Sequence, residues 1–285
     1  MDFLILQSLN SISFGMLLFL VASGLSLIFG LMAVVNLAHG SFYLIGAYIA
    51  LTFIKITGNF GYALAVACLV VPAIGILIER VFLHRLFKNE LAQVLLTFGF
   101  IFIFQDACLW IWGGVPQSFR SPEILSISVS LGGPLKFPVY RLFVIVIGCL
   151  VALGLWFLIE RTRLGMVVRA GVDNSEMAQA VGVNVSRLFS VVFALGVLLA
   201  ALGGVLGGPI IGVYPGVDME ILLFALVVII IGGQGSLKGA FWGSLVVGVL
   251  DNFGKALFPE LSLFSIFAPM AMVLAVRPQG LFGAK

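Results

Sequence analysis

Residues 3–54 read FLILQSLNSISFGMLLFLVASGLSLIFGLMAVVNLAHGSFYLIGAYIALTFI, and no Asp, Glu, Lys or Arg interrupts them. A bilayer span needs about 20 predominantly apolar residues, so the stretch holds two full crossings, or one crossing and a broken one. Membrane-barrel strands alternate apolar and polar over roughly 10 residues. GYALAVACLVVPAIGILI (61–78) and LFVIVIGCLVALGLWFLI (142–159) are instead apolar on every side, so the spans read as helices.

The rest of the chain agrees. Of 285 residues 62% are hydrophobic and 9% charged, against roughly 45–50% apolar and about 25% charged in soluble domains. Apolar runs place spans near 8–30, 36–54, 61–78, 92–112, 139–159, 188–208, 219–232, 239–253 and 263–276, giving eight or nine crossings in one domain over 1–285. The opening MDFLILQSLNS has no basic segment, so the first run is expected to remain as a span rather than act as a cleaved signal. The stretch 232–239 reads as a cytoplasmic turn or a short re-entrant segment.

Basic residues in short loops mark the cytoplasmic side. Arg80, Arg85 and Lys88 follow the third run, and Arg161, Arg163, Arg169 and Arg187 follow the fifth, so the loop at about 161–187 is expected inside. The stretch at about 114–138, rich in Ser, Pro and Gly, is then outward, and the C-terminal RPQGLFGAK is cytoplasmic. The net charge of +3 forms no contiguous patch, which argues against nucleic-acid binding.

Cys68, Cys108 and Cys149 lie far apart in apolar runs without metal-ligand spacing, so they read as small core residues and no metal site is expected. No GxxxxGK[ST], HExxH or GxSxG occurs; GGQGSLKGA (232–240) has the glycines and a lysine of a phosphate loop but not its spacing. The chain is therefore not expected to hydrolyse ATP, to be an enzyme or to bind a cofactor of its own.

Polar residues within the apolar runs are the candidates for function, because they are costly at membrane depth and face the bundle interior or a solvated cavity. Asn36 and His39, with Gly40 beside them in VVNLAHGSF, sit at a break between two runs and suggest a substrate path or gate. Gln105 and Asp106 in FIFIFQDACLW join them, since an ionised carboxylate costs about 2.5–3.5 kcal/mol at a helix centre. Asp251 and Lys255 have the spacing of a local ion pair. Helices in lipid approach through small residues four apart, and Gly203 with Gly207, Gly204 with Gly208, and the row Gly235, Gly239, Gly243 supply such faces. In the inner loop, Asp173 or Asn174 can cap a short helix from Ser175 that Gly182 ends. Its apolar Met177, Ala180 and Val181 suit docking into a partner's groove.

The stretch GLSLIFGLMAVVNLAHGSFYLIGAYIAL (24–51) resembles the opening of permeases of the branched-chain amino acid ABC transporter family. RAGVDNSEMAQAVGVNVSRLF (169–189), GGQGSLKGAFWGSLVVGVLDN (232–252) and VLAVRPQGLFG (273–283) continue the likeness over nearly the whole chain. The resemblance implies a type II-like, all-α importer half in the inner membrane. It implies a second, related permease, two P-loop ATPases that use ATP and magnesium, and an extracytoplasmic substrate-binding protein as partners. Glu176, Ala178, Ala180 and Gly182 fall on that family's coupling loop, with Arg169, Ala170 and Asp173 upstream. The solute implied is a branched-chain amino acid or a small polar relative such as urea or an amide. An ion-coupled transporter, which needs intramembrane carboxylates and inverted repeats, is the alternative, with Asp106 as its site. A membrane enzyme and a passive channel are weaker readings.

Overall fold

The computed structural model describes residues 2–32, 36–86, 89–132, 135–173 and 175–283. The chain is helical almost throughout: α1 (Asp2–Met32), α2 (His39–Thr57), α3 (Phe60–Val81), α4 (Glu90–Trp112), α5 (Val139–Arg161), α6 (Arg163–Asp173), α7 (Ser175–Ala180), α8 (Val185–Ile211), α9 (Val217–Gly232), α10 (Leu237–Leu257) and α11 (Ser262–Val276). Between α4 and α5 a small antiparallel hairpin, β1 (Ser128–Gly132) and β2 (Leu135–Pro138), pairs Val129 with Phe137. The segment between α4 and α5 thus has strand structure that its Ser- and Pro-rich composition does not announce.

Side-chain caps start five of the helices among the described residues, Thr162 opening α6 by accepting from the Gly165 N–H at 3.3 Å. Asn59, Asn89, Asn184 and Ser236 each accept a hydrogen bond from the backbone N–H three residues on, at 3.0–3.1 Å, opening α3, α4, α8 and α10. A cap satisfies one of the donors that a helix start leaves free, which matters most where lipid supplies none.

Every apolar run of the sequence lies in a helix except the first three residues of the second, 36–38, which form the turn before α2. Six of the helices are long and apolar enough to cross a membrane singly, and α9 with α10 passes only as a pair, bent by 117° across the break at 233–236. The described residues therefore hold six spans, or seven with the pair as one, and α11 contains a shorter apolar helix. A count of eight or nine treats α9, α10 and α11 as separate crossings. The break itself is a turn in which Gly233 (φ 105°) and Gly235 (φ 72°) take the left-handed conformations that side chains resist.

The core is built from α1, α2, α8, α9 and α10. Gly204 of α8 faces the Tyr43 carbonyl of α2, Gly203 faces Val21 of α1, and Gly207 faces the Tyr43 ring. Gly239 and Gly243 of α10 lie against the end of α9, and Gly235 against Gly30 of α1. The two ends of the bundle are distinct: Arg141 donates to Asn10 (2.6 Å) at one, whereas α6 leaves the far end of α5 beside Gly30 and the α9–α10 turn at the other. That second end also holds the tail. Leu281 and Phe282 donate their N–H groups to the carbonyls of Ile231 and Gly232 at 2.9 Å, satisfying two acceptors that the end of α9 would otherwise leave open.

Candidate functional site

α2 does not begin at the end of the bundle. His39, fully buried, places its Nε2 3.0 Å from the Val21 carbonyl, and Val21 lies eleven residues before the end of α1. At 1.5 Å per residue the first turn of α2 is thus about 16 Å inside that end. Since a carbonyl only accepts, Nε2 carries the proton of this contact. Asn36 closes the turn before α2: its Oδ1 accepts from the Ala38 N–H at 3.1 Å, and its own carbonyl accepts from the His39 N–H at 3.1 Å.

A second helix also starts inside. The first turn of α9 carries Asp218, buried, and packs on the first turn of α2 so closely that a Cβ on Gly40 would stand 2.2 Å from the Asp218 carbonyl oxygen. Only glycine fits there. Ser41 donates to Asp218 Oδ2 at 3.0 Å, and the Gln105 amide of α4 donates to both carboxylate oxygens at 2.9 and 3.1 Å. Two helix N-termini, each carrying partial positive charge, meet at this carboxylate. The chain delivers it through a braced loop, in which Val213 and Gln117 exchange backbone hydrogen bonds and Tyr214 donates to Glu220.

α4 closes the other side with polar contacts. Gln93 donates to the Leu86 carbonyl (2.6 Å), Thr97 accepts from the Leu37 N–H (3.3 Å), Gln105 holds Asp218, and the Trp112 indole donates to Thr52 (2.7 Å) while stacking on Tyr48. Residues 93, 97, 105 and 112 recur at helical spacing and so lie on one face. Several buried polar atoms of this region, the Asn36 amide nitrogen, His39 Nδ1 and the Tyr48 hydroxyl, have no hydrogen-bond partner among the described residues, and neither has the Tyr43 hydroxyl against α8.

The residues marked in the sequence therefore separate. Asn36, His39, Gly40 and Gln105 come together, whereas Asp106 lies on the exposed side of α4 between Ile103 and Trp110. Asp218 was missed. In GVDMEILL it reads as an acid at a helix start, and only its position ahead of a long apolar run signals that the start is buried. Glu79 was missed likewise: behind its neighbour Arg80 it reads as loop charge, yet it is buried, accepts from Ser190 of α8 at 2.6 Å, and lies 3.4 Å from His84.

At the end that carries the arginine loops, α6 turns back off α5, with Gly165 against the Ile159 carbonyl. Arg169 clamps this corner by donating to that carbonyl and lying 3.7 Å from Glu160. α7 follows, and Gly182 (φ 90°) ends it, with the Val183 N–H reaching back to the Ala178 carbonyl at 3.0 Å. Ala178 is turned inward, whereas Met177, Ala180 and Val181 are exposed. Asp173 closes α6 and Glu176 lies in α7; Asn174 is outside the described residues. Lys255 and Asp251 pair at 2.8 Å. The cysteines are free, and no group of metal-binding side chains occurs among the described residues.

Residues 7–276 match the family model of branched-chain amino acid transport system permease components. The chain is 29% identical to the high-affinity branched-chain amino acid permease protein BraD of Pseudomonas aeruginosa, over 97% of this chain and 95% of that one. It is 26% identical to LivH of Escherichia coli, over 97% and 94%, and 29% identical to a probable LivH of Methanocaldococcus jannaschii, over 96% and 91%. No solved structure matches the chain significantly. With a match that runs through every spanning helix, through the buried break at α2 and through α7, this multi-pass membrane protein belongs to the permease components of branched-chain amino acid transport systems.

Proposed function

We propose that the chain is the non-catalytic, membrane-spanning half of an ATP-driven importer in the inner membrane, moving branched-chain amino acids inward. The arginine-bearing end and the C-terminal tail are cytoplasmic in this reading. A second, related permease completes the route, two P-loop ATPases bind ATP and magnesium, and an extracytoplasmic protein delivers the solute.

The observation that carries the reading is α7: a six-residue helix at the basic end, ended by Gly182, with Met177 and Val181 exposed, and tied to α5 through α6 and Arg169. Such a knob suits an ATPase groove; Arg169 braces it, Glu176, Ala178 and Ala180 belong to it, and Asp173 and Gly182 flank it. Its motion would pass along α8, whose first turns hold buried Glu79 through Ser190.

The gate is the contact of α2, α9 and α4. α4 is held there by a few hydrogen bonds and the ring contacts of Phe104 and Trp112, so it can leave without unpacking the glycine-lined core, and release of Gln105 from Asp218 would open the Asn36–His39 break. Transport by this means is a switch between two packings.

The test is purification of the tagged chain from its native membrane in mild detergent, then reconstitution. The expected result is a co-purifying P-loop ATPase and ATP-dependent leucine uptake, with Gly182→Val removing the ATPase while the chain stays monodisperse. Recovery of the chain without an ATPase, or leucine flux that follows an ion gradient and not ATP, overturns the reading.

A further inference from the structure

The run GGQGSLKGA remains unexplained by transport. In the fold it is the turn into α10: Ser236 caps the helix, and Gly235, Ser236, Leu237 and Lys238 line one wall of a cavity of about 970 Å³. The start of a 21-residue helix presents free N–H groups and positive dipole to that cavity. Lys238 is exposed there and makes no ion pair among the described residues. Arg169 lines the same cavity, and the one carboxylate present, Glu160, is already met by that guanidinium at 3.7 Å.

Three further observations show what kind of anion fits. Ser26 of α1 lines the same cavity, is 1% exposed, and has a hydroxyl without a hydrogen-bond partner among the described residues. Away from the basic rim the walls are apolar, with Phe19 and Phe241 in edge contact. The cavity also reaches the side of the bundle, where Leu153 of α5, Trp156 and Trp242 are 63%, 45% and 53% exposed. Tryptophans at that position mark the membrane–water interface, and Arg161 lies over the Trp156 ring at 5.6 Å. A small soluble anion would leave the apolar part of such a groove unfilled.

We propose that this groove binds one anionic phospholipid. The phosphate lies at the N-terminus of α10 beside Lys238, and an acyl chain lies in the apolar cleft between α5 and α10. Basic pockets between spanning helices hold lipid head groups elsewhere by the same electrostatics. The assignment to the inner leaflet rests on the orientation proposed above; the binding itself does not.

The full-length chain in nanodiscs of equal parts phosphatidylglycerol and phosphatidylcholine, released into native mass spectrometry, tests this. Nanodiscs present the same lipids on both sides, so the result is independent of orientation and of what is transported. The expected result is one retained lipid per chain with about a fivefold preference for phosphatidylglycerol, the factor that one basic residue at an anionic surface supplies. Lys238→Gln should bring the ratio near parity, and Leu153→Trp, which plugs the lateral mouth, should reduce retention of both lipids. Equal retention in the unmodified chain overturns the proposal, whether or not either variant folds. So does a preference untouched by Lys238→Gln in monodisperse protein. Displacement of the lipid by inorganic phosphate assigns the site to a free anion, and displacement by a docked ATPase assigns it to protein; both also overturn it.

Discussion

α8 and α4 are both long, apolar helices, yet 72% of the apolar window of α8 is buried and only 17% of that of α4. Apolarity does not separate them, because lipid solvates an apolar face as well as protein does. What separates them is how each is held. α8 presents Gly196, Gly203, Gly204, Gly207 and Gly208 to its neighbours, each at a distance where a Cβ would collide. α4 has one glycine, Gly99, with nothing near it, and is tied by hydrogen bonds that Gln105 and Trp112 donate and Thr97 accepts, with Gln93 fixing the Leu86 carbonyl just ahead of it. Backbone contact through small residues is dense and unforgiving. A row of polar latches can be released one at a time, so the difference divides a fixed body from a movable wall.

The largest expected effect breaks the fixed body. Gly204→Val places a Cβ 2.1 Å from the Tyr43 carbonyl oxygen and should cost at least about 3 kcal/mol, read as loss of monodisperse protein and a lower thermal midpoint in mild detergent. Next is Asp218→Ala, which strands the Ser41 hydroxyl and the Gln105 amide, at about 1–3 kcal/mol. Cys108, buried on the inner face of α4, should then label faster with a membrane-permeant maleimide. Asp218→Asn keeps an acceptor oxygen and should label at an intermediate rate. Gln105→Leu removes one latch, for about 1 kcal/mol, and should raise Cys108 labelling with little change in thermal midpoint. Should it instead unfold the protein as Gly204→Val does, the division between body and wall is wrong. The smallest effect is at Gly154 of α5, which has no neighbour within 4 Å; Gly154→Leu should stay within about 0.5 kcal/mol.

The same division explains what was legible in the sequence. Apolar runs located every membrane helix, since run length is a physical requirement of the bilayer. A short helix beginning near Ser175 and its stop at Gly182 were legible, the stop because a left-handed glycine is local chemistry; of the two cap candidates, Asp173 lies in the last turn of α6 and Asn174 is outside the described residues. Orientation around the helix axis was not. α4 is apolar all round, and Gln105 and Asp106 are adjacent in sequence but about 100° apart on the helix, so one reaches Asp218 while the other faces outward. α6 was hidden within a charged loop, and Asp218 and Glu79 were hidden because each sits where a surface carboxylate is ordinary. Their burial comes from helices that begin, or pack, far along the chain.

The pairing of Leu281 and Phe282 with Ile231 and Gly232 also sets an order of assembly. The acceptors leave the ribosome fifty residues before their donors, from 231 to 281, and α10 and α11 are made in between. Until then the end of α9 has open carbonyls at the edge of the bilayer, and the turn into α10 lacks the segment that backs it. This part of the molecule is therefore finished last, by a segment that crosses nothing. A lesion in residues 280–283 should appear as a defect of biogenesis, with chain inserted at the normal rate but degraded early, while protein already assembled keeps its activity.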